Sequence, residues 1–179
     1  MDTYKLKFTS LQQKIFRALC IESEKEINQR ELAELLKVSS TAISKSLIYL
    51  VKINLIHTKK TKLTKLISLN RDNENVIELK RIENLSQTYE SGLINYLKEN
   101  FPLCPVILFG SYSTGEDNSD SDVDIAIINS KPKKLELEKF EKILKRDIII
   151  NYYSSLKQID ANLKENLING VRLTGHIEI

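Results

Sequence analysis

The feature that most constrains the fold is a pair of strand patterns on either side of a short polar loop. The range Val106 to Phe109 is a run of four apolar residues that leads directly into Gly110 and Ser111, and a second apolar run extends from Val123 to Ile128. Short apolar runs bounded by glycine and polar residues are typical of buried strands. We therefore predict that both segments lie in the core of a domain that combines helices with a sheet.

Two carboxylates stand at the start of the second strand. Asp122 and Asp124 are two residues apart, and residues at that spacing project from the same face of a strand. Adjacent carboxylates repel each other unless a cation lies between them, and hard oxygen ligands beside phosphate favour Mg²⁺. Gly110 lets an anion approach the backbone N–H groups near Ser111. The pattern predicts a site for Mg²⁺ and phosphate.

This stretch resembles the signature of the nucleotidyltransferase superfamily related to DNA polymerase beta, in which Gly-Ser, a loop with glycine and Ser-Asp-x-Asp follow a strand. Here the residues are Gly110-Ser111, Gly115 and Ser121-Asp122-x-Asp124. The small region is similar to the minimal nucleotidyltransferases, and the likeness covers roughly residues 93–179. The resemblance implies that Asp122 and Asp124 are catalytic metal ligands. It also implies three nucleotide-binding residues: Gly110, Ser111 and Ser121.

The resemblance further implies Mg²⁺-dependent transfer of a nucleoside monophosphate from an NTP, with ATP expected, to a hydroxyl on a protein, an RNA end or a small molecule. In the family, a third catalytic carboxylate lies on the next core strand, which we predict at Asp147 to Tyr153. The spacing places that position closer to Ile149 than to Asp147. Asp147 is therefore either the third carboxylate, shifted in register, or a surface residue. Three other acidic residues are expected in a solvated loop: Glu116, Asp117 and Asp120.

Charge is distributed unevenly along the chain. Residues 1–70 carry 13 Lys and Arg against 6 Asp and Glu, a net charge of +7, whereas residues 71–179 carry 14 against 18, a net charge of −4. Such an asymmetry indicates two modules with different partners. We predict a first domain over residues 1–75, a single connecting helix over 76–97 and a second domain over 98–179. The polar segment from Arg71 to Asn75 marks the boundary.

The first domain resembles a winged helix-turn-helix. Helical patterns at Ser10–Leu19, Gln29–Leu36 and Thr41–Ile53 precede two short strand patterns around a turn rich in Lys and Thr. The resemblance rests on Ile27 to Ile56 and implies that the third helix enters the major groove of double-stranded DNA. The third helix contains no arginine, which argues against bidentate readout of guanine. The candidate DNA-binding residues are Ser40, Thr41, Ser44, Lys45, Lys59, Lys60 and Lys62.

The combined prediction is an α+β chain in which a winged helix-turn-helix precedes a small mixed-sheet nucleotidyltransferase core. This order is similar to that of a group of prokaryotic, mostly archaeal, proteins. Three functions remain open: a nucleotidyltransferase, a DNA-binding regulator whose nucleotidyltransferase domain senses nucleotide with little or no turnover, and a docking protein. No apolar run reaches the 18 residues of a membrane span. We expect a cytoplasmic protein without a membrane partner, and a homodimer if its DNA site is palindromic.

Overall fold

The computed structural model of the chain describes residues 7–176, apart from the side chain of Gln158. The chain divides into two compact units, Met1–Lys80 and Arg81–Ile179, which we call the N-terminal and C-terminal units. The division lies inside the segment that the sequence assigns to a connecting helix. Across the described range, every helix is too short or too polar to cross a lipid bilayer.

The N-terminal unit has the winged helix-turn-helix arrangement. Its elements are α1 (Ser10–Ile21), β1 (Ile27–Asn28), α2 (Gln29–Leu35), α3 (Ser40–Lys52), β2 (Ile56–Lys60) and β3 (Lys65–Leu69). The strands form an antiparallel sheet in the order β1-β3-β2. Strands β2 and β3 are the two arms of the wing, with Ile56 opposite Leu69. The predicted order of three helices followed by a hairpin is confirmed.

Local sequence signals begin the helices of this unit, and apolar faces hold them together. The side chain of Asn28 accepts a hydrogen bond from the backbone N–H of Glu31 at the start of α2, and Ser39 caps α3 in the same way. Such caps satisfy backbone donors that have no partner inside the helix. The buried core includes Phe16 of α1 and Leu47 of α3. Packing of these faces leaves the opposite side of α3 toward solvent.

The C-terminal unit is built around a four-stranded mixed sheet. Its elements, with α4 beginning in the N-terminal unit, are α4 (Glu74–Glu90), α5 (Leu93–Asn100), β4 (Val106–Phe109), α6 (Gly110–Thr114), β5 (Val123–Ile128), α7 (Glu138–Leu144), β6 (Ile148–Tyr153), a 3₁₀ helix (Leu156–Gln158), α8 (Ala161–Ile168) and β7 (Val171–Thr174). The strand order is β6-β5-β4-β7. Strands β5 and β6 are parallel, and β4 is antiparallel to both β5 and β7.

The two faces of this sheet bury different residues because side chains alternate along a strand. One face contributes Leu108 and Ile125 to a large core that also contains Phe140 of α7. The other face contributes Ala126 to a smaller cluster that contains Leu167 of α8. Asp124, two residues before Ala126, belongs to this second face.

The predicted single helix from Val76 to Leu97 is wrong, because α4 ends at Glu90 and α5 begins at Leu93. Gly92 adopts a left-handed conformation with φ of 81°. Glycine reaches this region without the steric cost that a Cβ atom imposes, so it readily interrupts a helix. The Ser91 hydroxyl donates to the Thr88 carbonyl oxygen at 2.8 Å and adds a second local alternative to helical hydrogen bonding.

Candidate functional site

The end of β4 is shaped by a glycine that lies against a carboxylate. Gly110 begins the short helix α6 with φ of +72°, and a Cβ atom at this position would lie 2.6 Å from Oδ2 of Asp124. The contact follows from the register of the sheet, since Phe109 pairs with Asp124 across β4 and β5. Only a residue without a side chain fits both the backbone conformation and this close approach.

Asp122 and Asp124 lie at the start of β5 as predicted, and their surroundings differ. Asp122 is exposed and Asp124 is half-buried. Burial raises the pKa of the Asp124 carboxyl, and the negative charge of Asp122 raises that pKa further. Within residues 7–176, neither carboxylate has a hydrogen bond or an ion pair. Two neighbouring carboxylates without a compensating charge fit a divalent cation, which relieves both the repulsion and the cost of burial.

Asp147 lies beside Asp122 rather than beside Asp124. The backbone N–H of Val123 donates to the carbonyl oxygen of Asp147 at 2.8 Å, so the two strands meet just before their first paired residues. In the parallel register, Asp124 is opposite Ile149, whose side chain is 42% exposed. Extending that register by two residues places Asp147 opposite Asp122. The residue beside Asp124 on the next strand is thus apolar.

The lining of a cavity of about 550 Å³ also separates Asp124 from Asp122 and Asp147. Asp122 and Asp147 both line it, together with the basic residues Lys142 and Lys145, whereas Asp124 does not. Among the described residues, no three His, Cys, Asp or Glu side chains are grouped closely enough to hold a metal ion. The structure therefore brings Asp122 toward Asp124 and toward Asp147, but it does not join the three carboxylates in one cluster.

The three predicted nucleotide-binding residues occupy two environments. Gly110 and Ser111 lie at the junction of β4 and α6, and the hydroxyl of Ser111 has no hydrogen bond to another described residue. Ser121 is engaged in its own loop, where its hydroxyl accepts from the backbone N–H of Asn118 at 3.0 Å and donates to Oδ1 of Asn118 at 3.1 Å. These bonds fix the loop that precedes Asp122.

The expectation that Asp117 is solvated is wrong. Its residue exposure is 1%, and its Oδ2 lies 3.5 Å from Nη2 of Arg146, whose side chain is also buried. Nδ2 of Asn84 donates to Asp117 at 2.7 Å and to the carbonyl oxygen of Tyr112 at 2.9 Å. Burial, followed by the charge of Asp117, strongly raises the pKa of Tyr112. No local signal distinguishes Asp117 from its acidic neighbours, because its partners come from distant segments.

The predicted DNA-binding residues form an exposed surface in the N-terminal unit. Of the seven, six are exposed and Ser44 is partly buried. The turn of the wing is held by Thr61, which donates to the carbonyl oxygen of Thr64 at 2.9 Å. Lys60 is directly opposite Lys65 across the hairpin, and like charges in that position repel each other. A bound polyanion would remove this repulsion, so the hairpin is suited to contact phosphates.

Gln29 is a residue of this surface that the sequence analysis missed. Its side-chain amide donates to the carbonyl oxygen of Ser40 at 2.9 Å and to the hydroxyl of Ser44 at 2.8 Å. These bonds join the first turn of α2 to the first turns of α3 and orient the Ser44 hydroxyl. The polar residue at the start of α2 is visible in the sequence, but its partners depend on the angle between two helices.

Comparison with known proteins identifies two similarities. Residues 90–173 match the family model of the nucleotidyltransferase domain. Curated proteins give no match. Among solved structures, the adhesin competence repressor AdcR of Streptococcus pyogenes is 21% identical with a TM-score of 0.41, and the match covers 55% of this chain and 71% of that chain. ZitR of Lactococcus lactis is 26% identical with a TM-score of 0.39, and the match covers 54% of this chain and 64% of that chain. MepR, a transcription regulator of the Staphylococcus aureus multidrug efflux pump MepA, is 19% identical with a TM-score of 0.42, and the match covers 52% of this chain and 69% of that chain.

Proposed function

We propose that the chain is a Mg²⁺-dependent nucleotidyltransferase that transfers a nucleoside monophosphate from ATP to a hydroxyl acceptor and releases pyrophosphate, with a winged helix that binds duplex DNA. The observation that carries the enzymatic part is the half-buried, unpaired carboxylate of Asp124 beside Asp122. Leaving such a group without a partner destabilises the fold, so its presence is best explained by a ligand. The match of residues 90–173 to the nucleotidyltransferase domain supports the same assignment.

In this mechanism, Asp122 and Asp124 would hold the divalent cation, which supplies charge neutralisation at the phosphate oxygens when it is bound. Gly110 leaves room for Asp124, and its lack of a side chain would let a phosphate approach the backbone near α6. The hydroxyl of Ser111 would donate a hydrogen bond to a phosphate oxygen. Ser121 would act as a positioning residue, because its hydrogen bonds fix the loop that precedes Asp122. Asp147 is the candidate proton acceptor for the incoming hydroxyl, since it lines the same cavity as Asp122.

Calorimetric titration with ATP tests the nucleotide site directly. We expect binding to the wild-type chain that requires Mg²⁺ and that is lost in Asp122→Asn, a variant that keeps the shape of the side chain and removes its charge. Transfer of label from α-labelled ATP to candidate acceptors then tests catalysis, and Asp124→Asn should abolish it. Unchanged transfer in that variant would remove the carboxylate pair from the mechanism.

A second candidate function is a DNA-binding regulator that binds nucleotide but turns it over slowly or not at all. The observation that favours it is Ile149, an apolar residue opposite Asp124 where a further carboxylate would complete the site. In this case Ile149→Asp should increase the rate of transfer from ATP above that of the wild-type chain. A measurable wild-type rate that Ile149→Asp leaves unchanged would contradict this second candidate and would favour Asp147 as the third carboxylate.

The DNA-binding part is tested by the salt dependence of affinity for duplex DNA. Each phosphate neutralised by a lysine releases counterions, so log Kd changes linearly with log salt concentration and the slope counts the contacts. We expect a steep slope for the wild-type chain and a shallower slope after Lys59→Ala with Lys60→Ala. Absence of binding at low salt would contradict the assignment of the wing to DNA.

A further inference from the structure

The outward face of α3 has an exposed isoleucine at its centre. Ile48 is 70% exposed, although three buried residues of the same helix, Ile43, Leu47 and Leu50, are at most 2% exposed. Three other exposed residues share this face of the helix. Thr41 lies seven residues before Ile48, Lys45 lies three before it and Lys52 lies four after it. The core does not require Ile48, so its side chain is available to a partner.

Charge favours a nucleic acid as the partner of this face. Helix α3 has no Asp or Glu, and its exposed ionic residues are lysines. The wing that follows it adds Lys59, Lys60 and Lys62, all of them exposed. A protein partner with an apolar surface would gain little from these lysines, whereas duplex DNA is attracted to all of them.

The residue types on α3 limit which bases this face can read. Adenine is read by the amide of Asn or Gln, and α3 contains neither residue. Guanine is read by Arg or Lys, so on α3 only the lysines could read it. The hydroxyl of Ser44 already accepts a hydrogen bond from Gln29. The base-edge group that an exposed aliphatic side chain recognises is the C5-methyl group of thymine in the major groove.

We infer that Ile48 determines specificity by contact with a thymine methyl group. This inference rests on the proposed binding of duplex DNA and adds the base that is read and the residue that reads it. The lysines on the same surface would bind phosphates of any sequence, and Ile48 would favour duplexes with thymine at one position of each recognised site. A site chosen in this way has an A·T pair at the position that Ile48 contacts.

The test compares thymine with deoxyuridine, which differs only by the absence of the C5-methyl group. Duplexes are first selected with the full chain from a random library, and each thymine of the best duplex is then replaced singly by deoxyuridine. Burial of one methyl group contributes about 0.8 kcal/mol, so one replacement should weaken wild-type binding about 4-fold. Ile48→Ala should bind the thymine and deoxyuridine duplexes with equal affinity. Alanine favours helix, so α3 is retained in this variant.

Ile143→Ala is the matched control, because Ile143 is 56% exposed on α7 in the C-terminal unit. It should keep the wild-type preference for thymine. Salt-dependent DNA binding with no sensitive thymine would overturn the inference and leave the proposed DNA binding in place, whereas no binding at any salt concentration would overturn both. A preference for thymine that survives Ile48→Ala would also overturn the inference. The inference would also be overturned if Ile48→Ala changed the sedimentation of the chain but kept its preference for thymine, since Ile48 would then contact another copy of the chain.

Discussion

The two units use charge in opposite ways. In the N-terminal unit the charges that we propose for DNA contact include lysines that project into solvent from the wing. In the C-terminal unit the important charges are fitted into the fold, with Asp124 against Gly110 and Asp117 against Arg146. An exposed lysine can change its conformation without a clash, whereas a methyl group added at Gly110 would lie 2.6 Å from Oδ2 of Asp124. Sensitivity to single substitutions should therefore differ sharply between the units.

The largest effect is expected at the buried ion pair. Arg146→Met would leave Asp117 as a buried carboxylate that has lost its arginine, and losing one partner of a buried pair typically costs about 3–5 kcal/mol. The matched control is Arg71→Met in the N-terminal unit, where Arg71 pairs with Glu24 at 2.7 Å and the side chains are 30% and 53% exposed. An exposed pair contributes about 0–1 kcal/mol despite its shorter distance. Urea denaturation followed by circular dichroism measures both, and equal losses would contradict the comparison.

The next largest effect concerns nucleotide affinity. Gly110→Ala would place a Cβ atom 2.6 Å from Oδ2 of Asp124, so the carboxylate must move. Gly110 belongs to the surroundings of this proposed metal ligand, and changing the groups around a ligand typically costs about 10–100-fold in affinity, so we expect Mg²⁺-ATP binding to weaken by that factor in calorimetry. Gly92→Ala is the control, because Gly92 also has a positive φ but a Cβ atom there meets nothing within 4 Å. The same loss in both variants would attribute the effect to backbone strain.

An intermediate effect is expected at alkaline pH. Burial raises the pKa of Tyr112 in the folded chain above the ordinary tyrosine value of about 10, so above that pH the unfolded chain releases a proton that the folded chain keeps. Stability should fall as pH rises from about 10, by up to about 1.4 kcal/mol per pH unit for this residue. Tyr112→Phe should show a shallower fall, and Tyr152 and Tyr153 would supply the remainder because burial also raises their pKa values. An identical pH profile in the variant would show that Tyr112 is not responsible.

The smallest effect is expected from a single wing lysine. Lys60→Ala should lower the salt slope of DNA binding by about 0.9, the contribution of one neutralised phosphate, and should also remove the repulsion between Lys60 and Lys65. Fluorescence anisotropy at several salt concentrations measures the slope. Lys37→Ala is a suitable control, since Lys37 is exposed in the turn before α3 and was not assigned to the DNA surface. Complete loss of binding from Lys60→Ala alone would show that DNA affinity does not come from many lysines that each contribute a small part.

Much of this arrangement could be predicted from the sequence because it depends on local patterns. Apolar runs located β4 and β5, and the spacing of Asp122 and Asp124 placed both at the start of one strand. Helical periodicity and the hairpin pattern indicated the winged helix. The break at Gly92 was also visible as a Ser-Gly pair, but the apolar residues on both sides continued the helical period and concealed it.

The remainder depends on contacts between distant segments. The parallel register of β5 and β6 decides that Ile149 is opposite Asp124, and a shift by two residues would have placed Asp147 there. The burial of Asp117 depends on Arg146, 29 residues further along the chain. Local propensity contains no information about either relationship, because each is fixed by how the elements pack.

The division of the chain between Lys80 and Arg81 bears on how such a protein changes over generations. The carboxylate pair and the wing lysines belong to different units. A mutation that removes the carboxylate pair therefore leaves the lysines in place, and a mutation that removes a lysine leaves the carboxylates in place. A lineage that loses Asp124 would retain an intact winged helix, and one that loses the wing lysines would retain the carboxylates. The carboxylate pair and the wing lysines can therefore be lost or kept independently of each other.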